Sequence, residues 1–223
     1  MDIYNKFPLY EILAMIIPGG VIIAVVWWIV TGCPYNFIHR EITFCCGQGS
    51  VFVDCIIGIS VVIISYLTGL IIHAIAEIIF SKFRNKPNYI EKQLEDVQKT
   101  NGDINLRRFL SVNRHLDISS KYILAYCKLM EQKKLGSIPI IESQVALLRN
   151  LIVSFWVCLI IFLFIGICGC CECLPSNPCI SFCQYIIAAF GFITGGGILY
   201  VVMIQRQNKI YRYIWESVNY YDI

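Results

Sequence analysis

Residues 151–171 have the sequence LIVSFWVCLIIFLFIGICGCC and contain no charged side chain. An α-helix needs about 20 apolar residues to cross a hydrocarbon core of about 30 Å, so this run is long enough to span a membrane. Inside lipid each backbone N–H must find its partner within its own segment, which favours a helix over a loop. The stretch therefore predicts a transmembrane helix.

Three other stretches repeat this pattern. The chain is uncharged between Glu11 and His39, from Cys55 to Ile72, and from Leu174 to Ile204. The composition agrees, because 57% of the residues are hydrophobic and only 15% are charged, against roughly 25% in soluble domains. The sequence predicts an all-α membrane protein with four transmembrane helices and a small cytoplasmic helical layer between the second and the third.

Basic residues are concentrated in one loop, and this asymmetry predicts the orientation. Residues 81–149 hold 13 of the 18 Lys and Arg, whereas residues 32–50 hold one and residues 172–183 hold none. Basic residues beside membrane helices stay on the cytoplasmic side. We therefore expect a multi-pass protein of the cell (inner) membrane with both termini in the cytoplasm. The net charge of +3 is too small to indicate nucleic-acid binding.

The pattern divides the chain into four segments. These are residues 1–80, with the first two transmembrane helices and an outer Cys-containing loop; 81–138, a cytoplasmic helical segment; 139–204, with the last two transmembrane helices and an outer Cys-rich loop; and 205–223, a cytoplasmic amphipathic tail. The first span is too long for a signal-peptide core and should remain as an anchor. Pro18-Gly19-Gly20 within it predicts a kink or a break.

The second span, about Val51 to Phe80, carries a stripe of small and polar residues. Successive steps of four, seven, four and four residues keep them on one helical face, and they are Asp54, Gly58, Ser65, Gly69 and His73. Such a face packs against other helices or lines a water-filled path, and packing is favoured. In the fourth span, the four-residue spacing of Gly191 and Gly195 predicts a close helix contact.

Ionisable residues collect where the spans should meet the cytoplasm. They are Glu11, His73, Glu77, Arg149 and Arg206. His73 and Glu77 are four residues apart and face the same way. Charged groups in spans suggest a proton-sensing pair or a gate; the alternative, which is favoured, is that all five lie at headgroup depth and neutralise one another.

Ten of the 12 cysteines lie in or beside the two loops expected to face outward. They are Cys33, Cys45, Cys46, Cys55, Cys168, Cys170, Cys171, Cys173, Cys179 and Cys183. Disulfides persist on the oxidising side of a membrane, so we predict disulfides here without assigning pairs. Cys168-x-x-Cys171 and Cys170-x-x-Cys173 have zinc-like spacing, but disulfides are favoured, and we expect no metal site and no cofactor.

Two helices are predicted in the cytoplasmic segment. The first starts near Asn88 and places Ile90, Leu94 and Val97 on one side. The second starts near Asp117, presents Ile123, Cys127 and Met130, ends with Lys133 and Lys134, and stops at Gly136. Ser137 and Pro139 then suit the start of the helix that becomes the third span.

The tail has an apolar face formed by Ile210, Ile214, Val218 and Tyr221. It either packs on the cytoplasmic helices or lies on the membrane, and packing is favoured. About 65 residues barely sustain a core alone. We therefore expect support from extensions of the spans or from a second copy, and a homo-oligomer.

For catalysis the chain offers only Arg108 and His115, separated by six residues. This pair resembles the R-x(4–6)-H pair of HEPN ribonucleases, although Phe109 stands where that family normally has a polar residue. The sequence has no phosphate-cradling glycine loop, no G-x-S-x-G and no H-E-x-x-H. We assign no catalytic residue and expect that the protein is not an enzyme.

The layout combines cytoplasmic termini, an early Pro18-Gly19, a basic helical segment, and Glu142 followed by Arg149-Asn150-Leu151 before the third span. It resembles the small four-span membrane proteins found beside bacterial anti-phage systems, such as the accessory proteins of type VI-B CRISPR loci or the membrane subunit of Kiwa. The resemblance implies an oligomeric membrane subunit that acts with a cytosolic partner.

We therefore expect a non-enzymatic oligomeric subunit that lies in the lipid bilayer, engages a cytoplasmic protein partner, and serves antiviral defence without binding nucleic acid directly. One alternative is an ion-conducting pore or a membrane-permeability effector. Since only the second span has a polar face, such a pore would need several subunits. A more distant alternative is a membrane-anchored HEPN-like ribonuclease.

Overall fold

The structure is a computed structural model that describes residues 7–31, 51–81, 87–100, 104–170 and 182–221. Over these residues the chain forms seven α-helices and no strand. The helices are α1 (Phe7–Thr31), α2 (Val51–Ser81), α3 (Pro87–Thr100), α4 (Ile104–Val112), α5 (Ile118–Glu131), α6 (Ile138–Cys170) and α7 (Phe182–Tyr221).

Among the described residues, four helices are long and apolar enough to cross a membrane. Their apolar stretches are Ile12–Ile29 in α1, Gly58–Ser81 in α2, Ile138–Ile165 in α6 and Ile186–Tyr221 in α7. Large apolar side chains such as Ile63, Phe164 and Ile187 are exposed on these helices, as expected for surfaces that face lipid rather than water. The predicted all-α fold with four spans is confirmed.

The chain divides into two compact units. The first, the helical unit, consists of Met1–Tyr10, Glu77–Val145 and Val201–Ile223. The second, the span unit, consists of Glu11–Ala76 and Ala146–Tyr200. The long helices α6 and α7 each contribute to both units.

The helical unit has its own hydrophobic core, built from α3, α4, α5, the start of α6 and the end of α7. Trp215 and Leu129 are fully buried there, and the ring of Tyr122 packs edge-on against those of Tyr211 and Trp215. The tail therefore packs on the other helices, since Ile210, Ile214 and Val218 are buried as that prediction requires. Tyr221, which was grouped with them, is exposed.

The helix α3 agrees with the sequence pattern, because Ile90, Leu94 and Val97 all point into the core. For α5, the apolar residues that the sequence pattern grouped are not the buried ones. Ile123, Cys127 and Met130 are exposed, and the buried face consists of Tyr122, Ala125 and Leu129. Both faces of this helix are apolar, so periodicity alone could not identify the buried one.

The helix α4 was not predicted at all. It has nine residues, too few for stability in isolation, and it is held by two side chains, Leu106 and Phe109, that enter the core. The amide of Asn105 adds a tertiary hydrogen bond, donating from Nδ2 to the carbonyl of Asn219 at 2.9 Å. Tertiary contacts, rather than local preference, therefore account for this helix.

The ends of α5 are capped at both termini. Asp117 is the N-cap, and its carboxylate accepts from the N–H of Ser119 at 3.2 Å. Hydrogen bonds, first of all to the Ser120 side chain, hold the pKa of the Asp117 carboxyl below its ordinary value. The helix ends at Glu131 rather than at Lys133 and Lys134, in a Schellman-type turn with Lys133 at φ 56°.

In the span unit, α1 continues through Pro18 without a break. Gly19 and Gly69 let α1 and α2 approach closely, because a Cβ on Gly19 would collide with the carbonyl oxygen of Ser65. A Cβ on Gly69 would likewise collide with the carbonyl oxygen of Met15. The contact therefore needs both glycines, one on each helix.

Candidate functional site

The proline of α1 leaves a carbonyl without its usual helical partner. Because Pro18 has no N–H, the carbonyl of Ala14, four residues earlier, cannot accept the normal helical hydrogen bond. Asn150 on α6 supplies the missing donor, with its Nδ2 at 2.9 Å from the Ala14 oxygen. Asn150 is completely buried, so this bond is shielded from water.

The same amide also contacts His73 on α2. Nδ1 of His73 lies 3.3 Å from Oδ1 of Asn150 and 3.2 Å from its Nδ2. A carbonyl only accepts, so the Ala14 bond fixes which end of the amide is Nδ2. His73 therefore donates to Oδ1 when Nδ1 carries a proton and accepts from Nδ2 when it does not.

We call Ala14, His73, Asn150 and Ser154 the polar junction. Ser154 is fully buried, and its hydroxyl donates to the carbonyl of Asn150 at 3.0 Å. Three different helices thus meet through hydrogen bonds inside an otherwise apolar unit. Sequence reasoning missed Asn150 because it searched the spans for charge. Pro18 indicates in the sequence that one carbonyl of α1 lacks its helical donor, but which residue replaces that donor depends on how the helices pack.

The stripe on α2 is divided along its length. Ser65 and Gly69 are buried and His73 is half-buried, in contact with α1 or α6. Gly58 is exposed, with open space where a Cβ would lie, and the side chain of Asp54 lies outside the described part of the chain. The half from Ser65 to His73 therefore faces neighbouring helices rather than a water-filled path.

The five ionisable residues predicted at the inner boundary divide between the two units. Glu11, His73 and Arg149 belong to the span unit, and Glu77 and Arg206 to the helical unit. The partner that the structure gives His73 within the span unit is Asn150. Arg149 and Glu77 are half-buried and Arg206 is exposed, while the side chain of Glu11 is outside the described residues.

The two glycines predicted to pack in the fourth span, Gly191 and Gly195, differ in what surrounds them. A Cβ on Gly195 would lie 2.7 Å from Cε2 of Phe155 on α6, so Gly195 fits against a helix of the same chain. A Cβ on Gly191 would meet nothing within 4 Å. The close contact expected at Gly195 is therefore made within one molecule, and Gly191 lies on an open surface.

The ten cysteines predicted to form disulfides fall where the structure gives no side-chain description. Cys33, Cys45, Cys46, Cys171, Cys173 and Cys179 are outside the described residues; Cys55, Cys168, Cys170 and Cys183 lie in helices but their side chains are not described. Of the described cysteines, Cys127 is exposed and Cys158 is buried, both as free thiols. The described residues contain no cluster of three or more His, Cys, Asp or Glu that could hold a metal ion.

The pair Arg108 and His115 lies on the surface of the helical unit. Arg108 is on α4, His115 is in the turn that follows, and both are exposed. Phe109, which breaks the ribonuclease pattern, is buried in the core. Its ring also lies 5.7 Å below the amino group of Lys128. Packing in the core therefore explains why a phenylalanine stands at position 109.

The helical unit presents an apolar strip to its surroundings. Ile123, Cys127 and Met130, which we call the α5 stripe, are spaced at i, i+4 and i+7 and share one face. Ile123 is 48% exposed and Met130 60%. On one flank, the hydroxyl of Tyr126 donates to Glu142 of α6 at 3.0 Å, which fixes that edge.

Comparisons with protein families, with curated proteins and with solved structures each found no match.

Proposed function

We propose that this protein is a membrane-embedded binding subunit whose helical unit holds a cytoplasmic protein partner through the α5 stripe. The observation that carries the proposal is the two-faced character of α5. One face fills the core with Tyr122, Ala125 and Leu129, and the other leaves Ile123 and Met130 exposed. An apolar strip on a folded unit is typical of a surface that a partner covers.

The energetics favour such a contact. Full burial of an Ile or Met side chain contributes about 1.5–3 kcal/mol, and the two residues lie on one helical face. A partner helix could insert its own apolar side chains between them, as in helix-in-groove recognition. Arg114 and Lys121 lie near the start of α5, and their charge would speed the approach of an acidic partner.

The pore alternative has less support. Its lining would be the polar stripe of α2, and the Ser65–His73 half of that stripe packs against α1 and α6. The ribonuclease alternative depends on the spacing of Arg108 and His115 alone. A role in antiviral defence is supported by the layout of spans and basic segment, and we propose it as the setting in which the partner acts.

We also propose a homo-oligomer, formed through the spans. Gly58 on α2 and Gly191 and Gly197 on α7 have open space where a Cβ would lie. Small residues on the outer surface of a span let the helix of a second copy approach closely. Gly195 does not contribute to this contact, since it packs on Phe155 of its own chain.

The test is photo-cross-linking in intact cells, with benzoylphenylalanine in place of Cys127 at the centre of the α5 stripe. We expect one discrete adduct with a second protein. Ile123→Asp and Met130→Asp should each remove the adduct, because a buried carboxylate opposes an apolar contact. Ile104→Asp is the matched control: Ile104 is an exposed residue of α4 in the same unit, and its substitution should leave the adduct unchanged.

Absence of any adduct at position 127 would contradict the proposal, as would an adduct that survives both stripe substitutions. RNA cleavage lost in Arg108→Ala would favour the ribonuclease instead. Membrane depolarisation by the protein alone, lost in His73→Leu, would favour the pore.

A further inference from the structure

A pocket of about 690 Å³ lies in the helical unit, between the turn that joins α5 to α6 and the last turns of α7. This volume falls within the range of small-molecule sites, about 300–1,000 Å³. Its lining includes Lys134, Gly136, Tyr213, Ser217, Tyr220 and Tyr221. Three tyrosines, one lysine and one serine therefore line the same space.

The amine is held in a defined position. The N–H of Lys134 donates to the carbonyl of Leu129 at 2.8 Å, and left-handed residues precede and follow it, Lys133 at φ 56° and Gly136 at φ 55°. Its side chain places Nζ 4.6 Å from the centre of the Tyr221 ring. The positive charge therefore lies over an aromatic face at the edge of the pocket.

No carboxylate of the described residues lies within ion-pair distance of Lys134. Glu216, which also lines the pocket, is bonded instead to Nε of Arg212 at 2.8 Å. Charge-assisted hydrogen bonds to an anion are stronger than a cation–π contact at an exposed site. The amine is therefore available to an anionic group that enters the pocket.

The rest of the lining suits a flat ring with polar groups. Tyr220 and Tyr221 pack edge to face with their centroids 4.9 Å apart, and Tyr220 is 80% exposed, so a further ring can stack on it. Ser217 is only 6% exposed and lines the pocket. Its hydroxyl can both donate and accept, so it can bond to a polar atom of a ligand that enters there.

We infer that this pocket binds a small aromatic anion, a flat ring that carries a phosphate or a carboxylate. The anionic group pairs with Lys134, the ring packs on Tyr220 and Tyr221, and Ser217 bonds to a polar atom of the ligand. The site belongs to the helical unit but shares no residue with the α5 stripe, so it does not depend on the partner contact proposed above.

The probe is phenyl phosphate, and its binding to the full chain in detergent is measured by saturation-transfer NMR titration. We expect saturable binding to the wild-type protein in the low millimolar range, and none to inorganic phosphate, which lacks the ring. Lys134→Gln should weaken binding at least about tenfold, since about 1.4 kcal/mol of interaction corresponds to that factor. Tyr220→Ala, at an exposed position, should weaken it severalfold.

Lys128→Gln is the matched control, because Lys128 also lies over an aromatic ring, that of Phe109, but is not part of the pocket lining. Its affinity for phenyl phosphate should equal that of the wild type. The inference is overturned if the wild type shows no saturable binding up to about 10 mM, if Lys134→Gln binds as tightly, or if inorganic phosphate binds equally well.

Discussion

Asn150 and Pro18 lie on different helices, and together they determine how the carbonyl of Ala14 is hydrogen-bonded. The proline denies the Ala14 carbonyl its helical donor, and the buried amide of Asn150 replaces that donor at 2.9 Å. A buried carbonyl without a hydrogen bond is costly, so the amide stabilises α1 at Pro18. His73 bonds to the same amide and thereby links α2 to the junction.

Replacing Asn150 with Leu should destabilise the protein, because the Ala14 carbonyl and the His73 ring would both lose their partner. We expect a loss of about 1–2 kcal/mol in the free energy of unfolding, from the values for hydrogen bonds within membranes and for buried polar groups. The measurement is reversible unfolding in mixed micelles. Ser60→Ala is the control, since the exposed Ser60 hydroxyl bonds only to the carbonyl of Ile56 in its own helix.

A double-mutant cycle tests whether the contribution of Asn150 to the free energy of unfolding depends on Pro18. In Pro18→Ala the new N–H can bond to the Ala14 carbonyl, so Asn150→Leu should cost less in that background than in the wild type. Equal costs in the two backgrounds would show that Asn150 does not serve the carbonyl freed by Pro18.

At the residue scale the sequence indicated His73 but not its partner. The pattern paired it with Glu77, one turn along the same helix, because spacing within a helix is visible in a sequence. Its bond to Asn150 spans 77 positions. Such a contact depends on how three helices pack, which spacing does not reveal.

Among the elements, α1 and α2 show how a contact between spans is made. Their backbones meet where Gly19 faces Ser65 and Gly69 faces Met15. Close backbone approach of this kind uses glycine because no side chain intervenes. Because this contact lies at Ser65 and Gly69, that part of the α2 stripe serves to pack α2 against α1.

Gly69→Ala should therefore separate the two helices. The added Cβ would collide with the backbone of Met15, and overpacking of this kind costs about 1–3 kcal/mol or more. Gly58→Ala is the matched control on the same helix, since its Cβ would meet nothing within 4 Å. Thermal unfolding in detergent should show a clear loss for Gly69→Ala and no loss for Gly58→Ala; equal behaviour of the two variants would contradict the described contact.

The sequence predicted helices correctly where physical chemistry allows only one backbone structure. The four apolar runs had to be helices, and the apolar spacing of α3 identified its buried side. It failed for α4, whose stability comes from Leu106 and Phe109 in the core. It also did not identify the buried face of α5, because Tyr122 and Leu129 compete with Ile123 and Met130 as apolar positions.

For the whole molecule, we propose different roles for the two units. The span unit supplies the membrane anchor and the polar junction, and the helical unit supplies the α5 stripe and the tyrosine-lined pocket. A cytoplasmic partner can reach the stripe only if the helical unit faces the cytoplasm. We propose this orientation, which is central to the partner contact, from the 13 basic residues of the 81–149 segment.

Topology reporters fused to truncated chains test that claim most directly. A fusion after Gly136, in the turn between α5 and α6, should be active with a cytoplasmic reporter and silent with one that works only outside. Fusions near Gly47 and Ser176 should give the opposite result. An outward signal from the fusion after Gly136 would contradict the orientation, and with it the proposed contact between the α5 stripe and a cytoplasmic partner.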